Sequence, residues 1–226
     1  MIVAIDGPVA AGKGTLARRL ARHFGFAYLD SGALYRAVAL HMLRAGLDPA
    51  DAAAAIRAAA GIAAYDLADA ALRDQAVGAA ASKIAAIPEV RAALLGYQRD
   101  FAARPPGGAT GAVLDGRDIG TVVCPEAEIK IFVTARPEIR ARRRFLELAA
   151  SDKASDKARD KALGGRQGQS FSESEILAEI EARDARDQSR AVAPLRPAPD
   201  AYLLDTSDLD IEGAFNKAKD YIQRRL

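Results

Sequence analysis

Cysteine is nearly absent from this sequence. Cys124 is the only one in 226 residues, so no intramolecular disulfide can form and a disulfide-stapled scaffold is excluded. No run is long or apolar enough to span a bilayer. Met1 leads straight into "IVAID", without a charged leader or a small-residue cleavage site. A secretory signal is therefore not expected, and a reducing, cytoplasmic setting is. An excess of one charge is missing too, since 32 Lys and Arg stand against 30 Asp and Glu for a formal charge of +2. With neither a continuous basic stripe nor interleaved aromatics, nucleic acid is not an expected partner. Arginines can still be concentrated locally without moving the net charge.

What is present is apolar and helical in taste. Hydrophobic residues make up 50% of the chain, but many are alanines, which favour helix and bury little area each. Five short apolar runs stand out as strands: Ile2–Asp6, Phe26–Asp30, Ala112–Asp115, Ile129–Thr134 and Ala201–Asp205. Several are apolar throughout, as strands covered on both faces of a parallel sheet are. Helical stretches fall between them at Thr15–Phe24, Leu34–Ala45, roughly Leu72–Ala103, and Pro137–Ala150. This alternation predicts an α/β fold.

Two segments break the rhythm. From Asp48 to about Ala71 the chain is alanine-rich with no usable periodicity. Further on, alanines 150, 154, 158 and 162 recur every four residues beside Lys153/Asp156 and Lys157/Asp160 pairs. That spacing predicts a solvated helix, ended by Gly164-Gly165. Ser172 and Glu175 then form a capping box that opens the next helix. A helix, a glycine break and another helix suit either a moving lid or an inert surface extension.

The chemistry starts at "IDGPVAAGKGT", where a strand runs into Gly7-(x4)-Gly12-Lys13 and then a helix. Glycines let the backbone wrap around phosphates, inward N–H groups and the helix N-terminus supply positive potential, and Lys13 can bridge β- and γ-phosphates. The alternative is an ordinary glycine-rich turn. Gly14 occupies the slot where a hydroxyl usually meets Mg²⁺, and the hydroxyl of Thr15 comes one residue later. "LDSGALYR" puts Ser31 and Arg36 beyond the second strand, and "AVLDGRDIG" puts Asp115, Arg117 and Asp118 at the end of the third. Carboxyl ends of strands are where α/β sheets bind ligands. Asp115 has the position of a Walker-B-like acid, and Arg117 is a candidate phosphate clamp. In "EARDARDQSRAVAPL", Arg183, Arg186, Asp187 and Arg190 fall at i, i+3, i+4 and i+7, one face of a predicted helix. Three guanidiniums at that spacing repel one another unless anions or Asp187 neutralise them.

Together, "IDGPVAAGKGT", "LDSGALYR", "LDGRDIGTVV" and "RDARDQSRAVAPL" resemble bacterial-type cytidylate kinases of the P-loop nucleoside monophosphate kinase family. The resemblance implies a P-loop fold with a five-stranded parallel core sheet and helices on both faces. A monophosphate-binding region (roughly 46–104) and a lid (roughly 149–171) would complete a monomeric 226-residue kinase domain. It implies transfer of the ATP γ-phosphoryl to CMP or dCMP with Mg²⁺. On matching positions, Gly7, Pro8, Val9, Ala10, Ala11, Gly12, Lys13, Gly14 and Thr15 would hold ATP. Lys13, Asp115, Arg117, Arg183, Arg186 and Arg190 would act on the phosphoryl in transfer. Ser31, Arg36, Ser82, Arg91, Asp115, Arg117, Asp118, Arg183, Asp187 and Arg190 would bind CMP, with Ser82, Arg91 and Asp118 on the cytosine edge. Thr15 and Asp115 would meet the metal through water.

The sequence departs from the family pattern twice. The β-rich insert usual between the equivalents of Gly61 and Leu72 is reduced to a short run, and the lid segment from Ala149 to Phe171 is longer than expected. Adenylate or shikimate kinase is the nearest alternative, and a nucleotide sensor without turnover is the alternative from another class. Lys13, Asp115, Arg117 and the lid arginines speak against the sensor, because plain binding does not need charge placed off the ground-state phosphates.

Overall fold

All five expected strands form, each within one residue of its expected bounds. The computed structural model describes residues 1–159 and 172–225. The strands are β1 (Ile2–Asp6), β2 (Ala27–Asp30), β3 (Ala112–Gly116), β4 (Ile129–Thr134) and β5 (Tyr202–Asp205). They make one parallel sheet in the order β2-β3-β1-β4-β5. Around it lie α1 (Lys13–Phe24), α2 (Ser31–Arg44), α3 (Ala52–Ala60), α4 (Gln75–Ile84), α5 (Pro88–Ala103), α6 (Pro137–Arg159), α7 (Glu173–Gln188) and α8 (Ile211–Gln223).

Alternating strand residues feed two cores. Val3, Ile5, Val113, Ile131 and Val133 face α1 and α8, where they meet Leu16, Leu20, Phe215 and Ile222. Ala4, Leu29, Ala112 and Leu114 face the other way, toward Leu34, Val38 and Met42 of α2 and toward α3, α4 and α5. Both faces are covered, which is why these strands read as apolar throughout. The chain leaves β1 onto the first face through α1 and leaves β3 onto the second, where Ile119 and Val123 are buried. β1 and β3 are neighbours, so a crevice opens between their carboxyl ends, the place where open α/β sheets take ligands.

Several boundaries differ from expectation for identifiable reasons. α2 starts at Ser31 rather than Leu34, because the Asp30 carboxylate caps it by accepting from Ala33 N. The long helical region from Leu72 to Ala103 is broken at Ala85–Ile87. Pro88 cannot donate a helical hydrogen bond and instead opens α5 at its first position. The unassigned stretch after Asp48 holds α3, capped by Asp51, and then two 3-10 turns at Ile62–Ala64 and Ala70–Arg73. No strand forms between residues 61 and 74, so a β-rich insert is missing there. α6 continues to Arg159, making the first part of the alanine repeat helical. The Gly164-Gly165 break and the rest of the lid segment, 160–171, lie outside the described residues. The Ser172–Glu175 capping box forms as expected.

Candidate active site

The phosphate loop is fixed by close backbone approach. Gly7 has φ 147°, and a Cβ there would sit 1.9 Å from the carbonyl oxygen of Val133 on β4. Only glycine lets the chain turn out of β1 this tightly against its neighbour. Ala10 lies in the left-handed region at φ 59°, and Gly12, at φ 86°, precedes α1 without a side-chain cap. The leading N–H groups of α1 therefore have no side-chain acceptor, the arrangement that attracts anions. Pro8 is buried and its carbonyl accepts from Lys13 Nζ at 2.7 Å. Burial, helped by the nearby Arg117 cation, pulls Lys13 down to about 7 against the attraction of Asp115. Ala11 is buried, with its carbonyl accepting from Thr206 Oγ1 at 3.3 Å, whereas Thr15 is exposed on the first turn of α1.

β1, β2 and β3 carry carboxylates at or next to their carboxyl ends: Asp6, Asp30 and Asp115. Asp30 and Asp115 are register partners on β2 and β3. Asp115 is held up at about 6, first by burial and then by the Asp30 charge, and its Oδ1 accepts from Tyr28 Oη at 2.9 Å. A Cβ at Gly14 would lie 3.6 Å from Asp115 Oδ2 and from Arg18 Nη2. The glycine thus keeps open the space between loop and carboxylate. Asp6 accepts from Ile119 N at 2.8 Å and Gly120 N at 2.7 Å, fastening the loop after β3 to the end of β1. Burial lifts its carboxyl to about 6 despite those two donors. Ser31 is buried and donates from Oγ to the Asp115 carbonyl at 2.8 Å. Arg36 pairs with Asp30 at 2.5 Å.

The arginines converge. Arg36, Arg117, Arg183 and Arg190 line a cleft of about 410 Å³ together with Val9, Ala10 and Gly14 of the loop. Asp187, 1% exposed, organises two of them: Arg117 Nε donates to its Oδ2 at 3.0 Å, and Arg190 pairs with its Oδ1. The expectation that Arg183 to Arg190 share a helix face needs correction. α7 ends at Gln188, so Arg190 lies beyond it and reaches back to Asp187. Arg186 is exposed and stands outside the cleft lining. Arg183 Nε is buried with no hydrogen-bond partner among the described residues, and burial followed by the neighbouring Arg117 lowers the guanidinium to about 10. A buried guanidinium nitrogen without an acceptor, beside the Arg117 cation, marks this part of the cleft for an anion.

At the far end of the same cleft lie Ser82, Arg91 and Asp118, all buried. Arg91 pairs with Asp118, donates to the Ala85 carbonyl at 3.2 Å, and stacks 5.6 Å from the Tyr35 ring centroid. Ser82 Oγ is buried without a partner among the described residues. A hydroxyl, a guanidinium and a carboxylate together present both donors and acceptors to one planar edge.

A family model described as cytidylate kinase matches residues 3–224 of this chain. The chain belongs to the cytidylate kinase family. The cytidylate kinase of Paramagnetospirillum magneticum is 58% identical over 217 residues, covering 96% of this chain and 95% of that protein. That of Rhodospirillum rubrum is 53% identical over 225 residues, covering 100% and 98%. That of Rhodopseudomonas palustris (strain ATCC BAA-98 / CGA009) is 53% identical over 223 residues, covering 99% and 96%. Among solved structures, an uncharacterised protein from Eubacterium ventriosum superposes with TM-score 0.54 at 13% identity, over 99% of this chain and 98% of that one, a likeness of fold.

For a cytidylate kinase, the residues that sequence reasoning passed over are Asp6, Tyr28, Asp30, Arg140 and Asp184. Asp6 and Asp30 carried the signal that flagged Asp115, an acid ending an apolar run. Tyr28, Arg140 and Asp184 gave no signal, because what they touch is distant in sequence.

Proposed function

We propose that this cytidylate kinase family member transfers the ATP γ-phosphoryl to CMP or dCMP, giving CDP or dCDP and ADP, through the residues gathered in the cleft. The observation that carries the reading is the meeting of the phosphate loop with four arginines from α2, the β3 loop, α7 and the segment after it. The loop, Gly7 to Thr15, holds the triphosphate, and Lys13 follows the transferred phosphoryl. Arg36 and Arg117 grip the acceptor phosphate with Arg190 beside them. Ser31 and Asp115 border the acceptor. Arg183 and Asp187 bind its sugar and phosphate, and Ser82, Arg91 and Asp118 read the cytosine edge. Cytosine donates from N4 and accepts at N3 and O2, so a carboxylate beside a guanidinium and a hydroxyl suits it. Arg186 would meet the transferring charge only after α7 moves.

The residues present fit Mg²⁺. Gly14 leaves room beside Asp115 Oδ2, a hard oxygen donor that suits this ion through water, and the Thr15 hydroxyl is exposed on the adjacent turn. Asp115 and Thr15 would hold the ion through water, and its charge would offset that of the phosphates. Everything else is positioning and charge stabilisation by the chain, and closure of the lid over both nucleotides would exclude water and limit wasteful ATP hydrolysis. We assign residues 46–104 to acceptor binding and 149–171 to the lid, in a monomeric cytoplasmic enzyme.

A coupled assay over CMP, dCMP, UMP, AMP and shikimate tests the acceptor, and preference for AMP would overturn the assignment. Lys13→Met is expected to lower turnover by about two or more orders of magnitude with the fold intact. Near-wild-type turnover would remove Lys13 from the mechanism. Binding of both nucleotides without ADP release would favour the sensor instead.

A further inference from the structure

We propose that Arg140 is a positioning residue that holds the phosphate loop and the arginine-bearing helix α7 in a single working geometry. Arg140 lies in the first turns of α6, is 4% exposed, and is not part of the cleft lining. Its Nε donates to the Ala135 carbonyl at 2.9 Å, which ties it to the end of β4. Its Nη1 donates both to the Val9 carbonyl at 3.2 Å and to Asp184 Oδ2 at 2.5 Å. One planar group thus joins the sheet, the phosphate loop and α7.

Each contact has a consequence in the cleft. The peptide between Val9 and Ala10 is planar and trans, so its C=O and N–H point in opposite directions. With the Val9 oxygen turned toward α6, the Ala10 N–H is turned away from α6. Ala10 itself sits at φ 59°, unfavourable for a residue with a Cβ and kept only where the surroundings impose it. The Arg140 hydrogen bond is one such imposition. The other is a small apolar cluster in which Val9 and Ala10 pack against Ala141 of α6 and Ile176 and Ile180 of α7. On α7, Asp184 lies between Arg183 and Asp187, two of the α7 residues that line the cleft. The second oxygen of Asp184, Oδ1, is buried with no partner among the described residues, and its other oxygen accepts from Arg140. A buried pair of this kind contributes little net stability compared with apolar side chains of similar volume, which leaves orientation as its use.

The inference rests on the phosphate loop being the ATP site. ATP-dependent CDP formation by the wild-type chain is the separate control, and its absence would fail that reading rather than this one. The test uses four full-length variants: Arg140→Met, Arg140→Lys, Asp184→Asn, and the double variant Arg140→Met/Asp184→Leu. For each, melting temperature, Kd for a non-hydrolysable ATP analogue, kcat and the two KM values are measured. Arg140→Met is expected to lose stability and ATP affinity together. The double variant removes the uncompensated carboxylate, so its melting temperature returns toward wild type, while kcat/KM for ATP stays about tenfold or more below it because Val9 still lacks its donor. Asp184→Asn keeps the Val9 contact, and its loss is expected to fall on KM for CMP, about fivefold, rather than on the ATP analogue. Wild-type ATP affinity and kcat in a folded double variant would overturn the proposal and leave Arg140 as packing. Should neither Met variant fold, Arg140→Lys decides. A lysine ammonium cannot serve three divergent acceptors from one plane, so reduced kcat/KM for ATP at wild-type stability supports the role, and wild-type kinetics reject it.

Discussion

Lys13 has to be an ammonium to hold a phosphate, yet its surroundings in the ligand-free protein favour the free amine. Burial and the Arg117 cation bring it to about 7 from 10.5. At pH 8, one unit above that value, roughly a tenth of the molecules carry the proton. The triphosphate supplies the negative charge that restores the ammonium, so binding is expected to take up about 0.9 proton at pH 8. ATP phosphates are themselves ionised at that pH, since a terminal phosphate titrates near 6, and they contribute little to the count. The same linkage weakens the analogue's Kd about fivefold between pH 7 and pH 8. Calorimetry with a non-hydrolysable ATP analogue in two buffers of different ionisation enthalpy reads the uptake directly. Lys13→Arg, whose guanidinium does not deprotonate in this range, should abolish it. Stability follows with its own sign: the folded lysine binds fewer protons than the unfolded one between about 7 and 10.5, so the ligand-free protein gains stability as pH rises across that window. Lys13→Met removes this penalty and should raise the ligand-free melting temperature while lowering turnover. Proton uptake near zero, or uptake that survives in Lys13→Arg, would refute the reasoning.

Three further outcomes are expected. Gly7→Ala places a Cβ 1.9 Å from the Val133 carbonyl at a φ of 147°, so thermal unfolding should show a loss of about 1–3 kcal/mol or more, with ATP analogue binding lost alongside. Ser82→Ala removes a buried hydroxyl that has no partner among the described residues. Its melting temperature should hold or rise, while KM for CMP increases by the equivalent of about 1–2 kcal/mol, and an unchanged KM would take Ser82 out of the acceptor site. Asp118→Ala leaves the buried Arg91 guanidinium without its acid, and urea unfolding should register about 3–5 kcal/mol of destabilisation.

Much of this architecture could be read from the chain before any coordinates, and the failures have particular causes. Strand runs were visible because both sheet faces are covered, which leaves no polar alternation to blur them. α3 was invisible because Ala54, Ala55, Ala58 and Ala59 are buried while Ala52, Ala53 and Ala60 are exposed. The periodicity is helical, but the same residue type stands on both faces. The break before Pro88 was legible from the proline alone. Arg190 was misplaced because nothing at Ser189 announces the end of α7; the sequence there holds neither glycine nor proline. Asp187 was flagged as a partner for one arginine, and the fold gives it two. Asp118 was flagged by its place after the third strand and Arg91 only through family resemblance, and their pairing was not foreseen, since 27 residues separate them and no local pattern joins them.

The charge arrangement of the cleft explains why so many of its groups sit away from their ordinary protonation. Asp6 and Asp115 are held up at about 6, and Lys13 and Arg183 are held down at about 7 and 10. In all four cases burial is the first cause, so these four groups are shielded from bulk solvent in the ligand-free protein. Low dielectric makes unlike charges attract more strongly and like charges repel more strongly. Asp187 and Asp30 neutralise parts of the arginine cluster, but Arg183 Nε remains buried and, among the described residues, unpartnered. A polyanion entering this volume relieves cation–cation repulsion that the protein has left standing. The relief is largest where the new negative charge lies among Lys13, Arg117 and Arg183 together, rather than beside any one of them. On the roles proposed above, charge that spreads over the transferring phosphoryl would develop in that shared space, and the Arg183 guanidinium there would favour the transition state over either bound nucleotide alone.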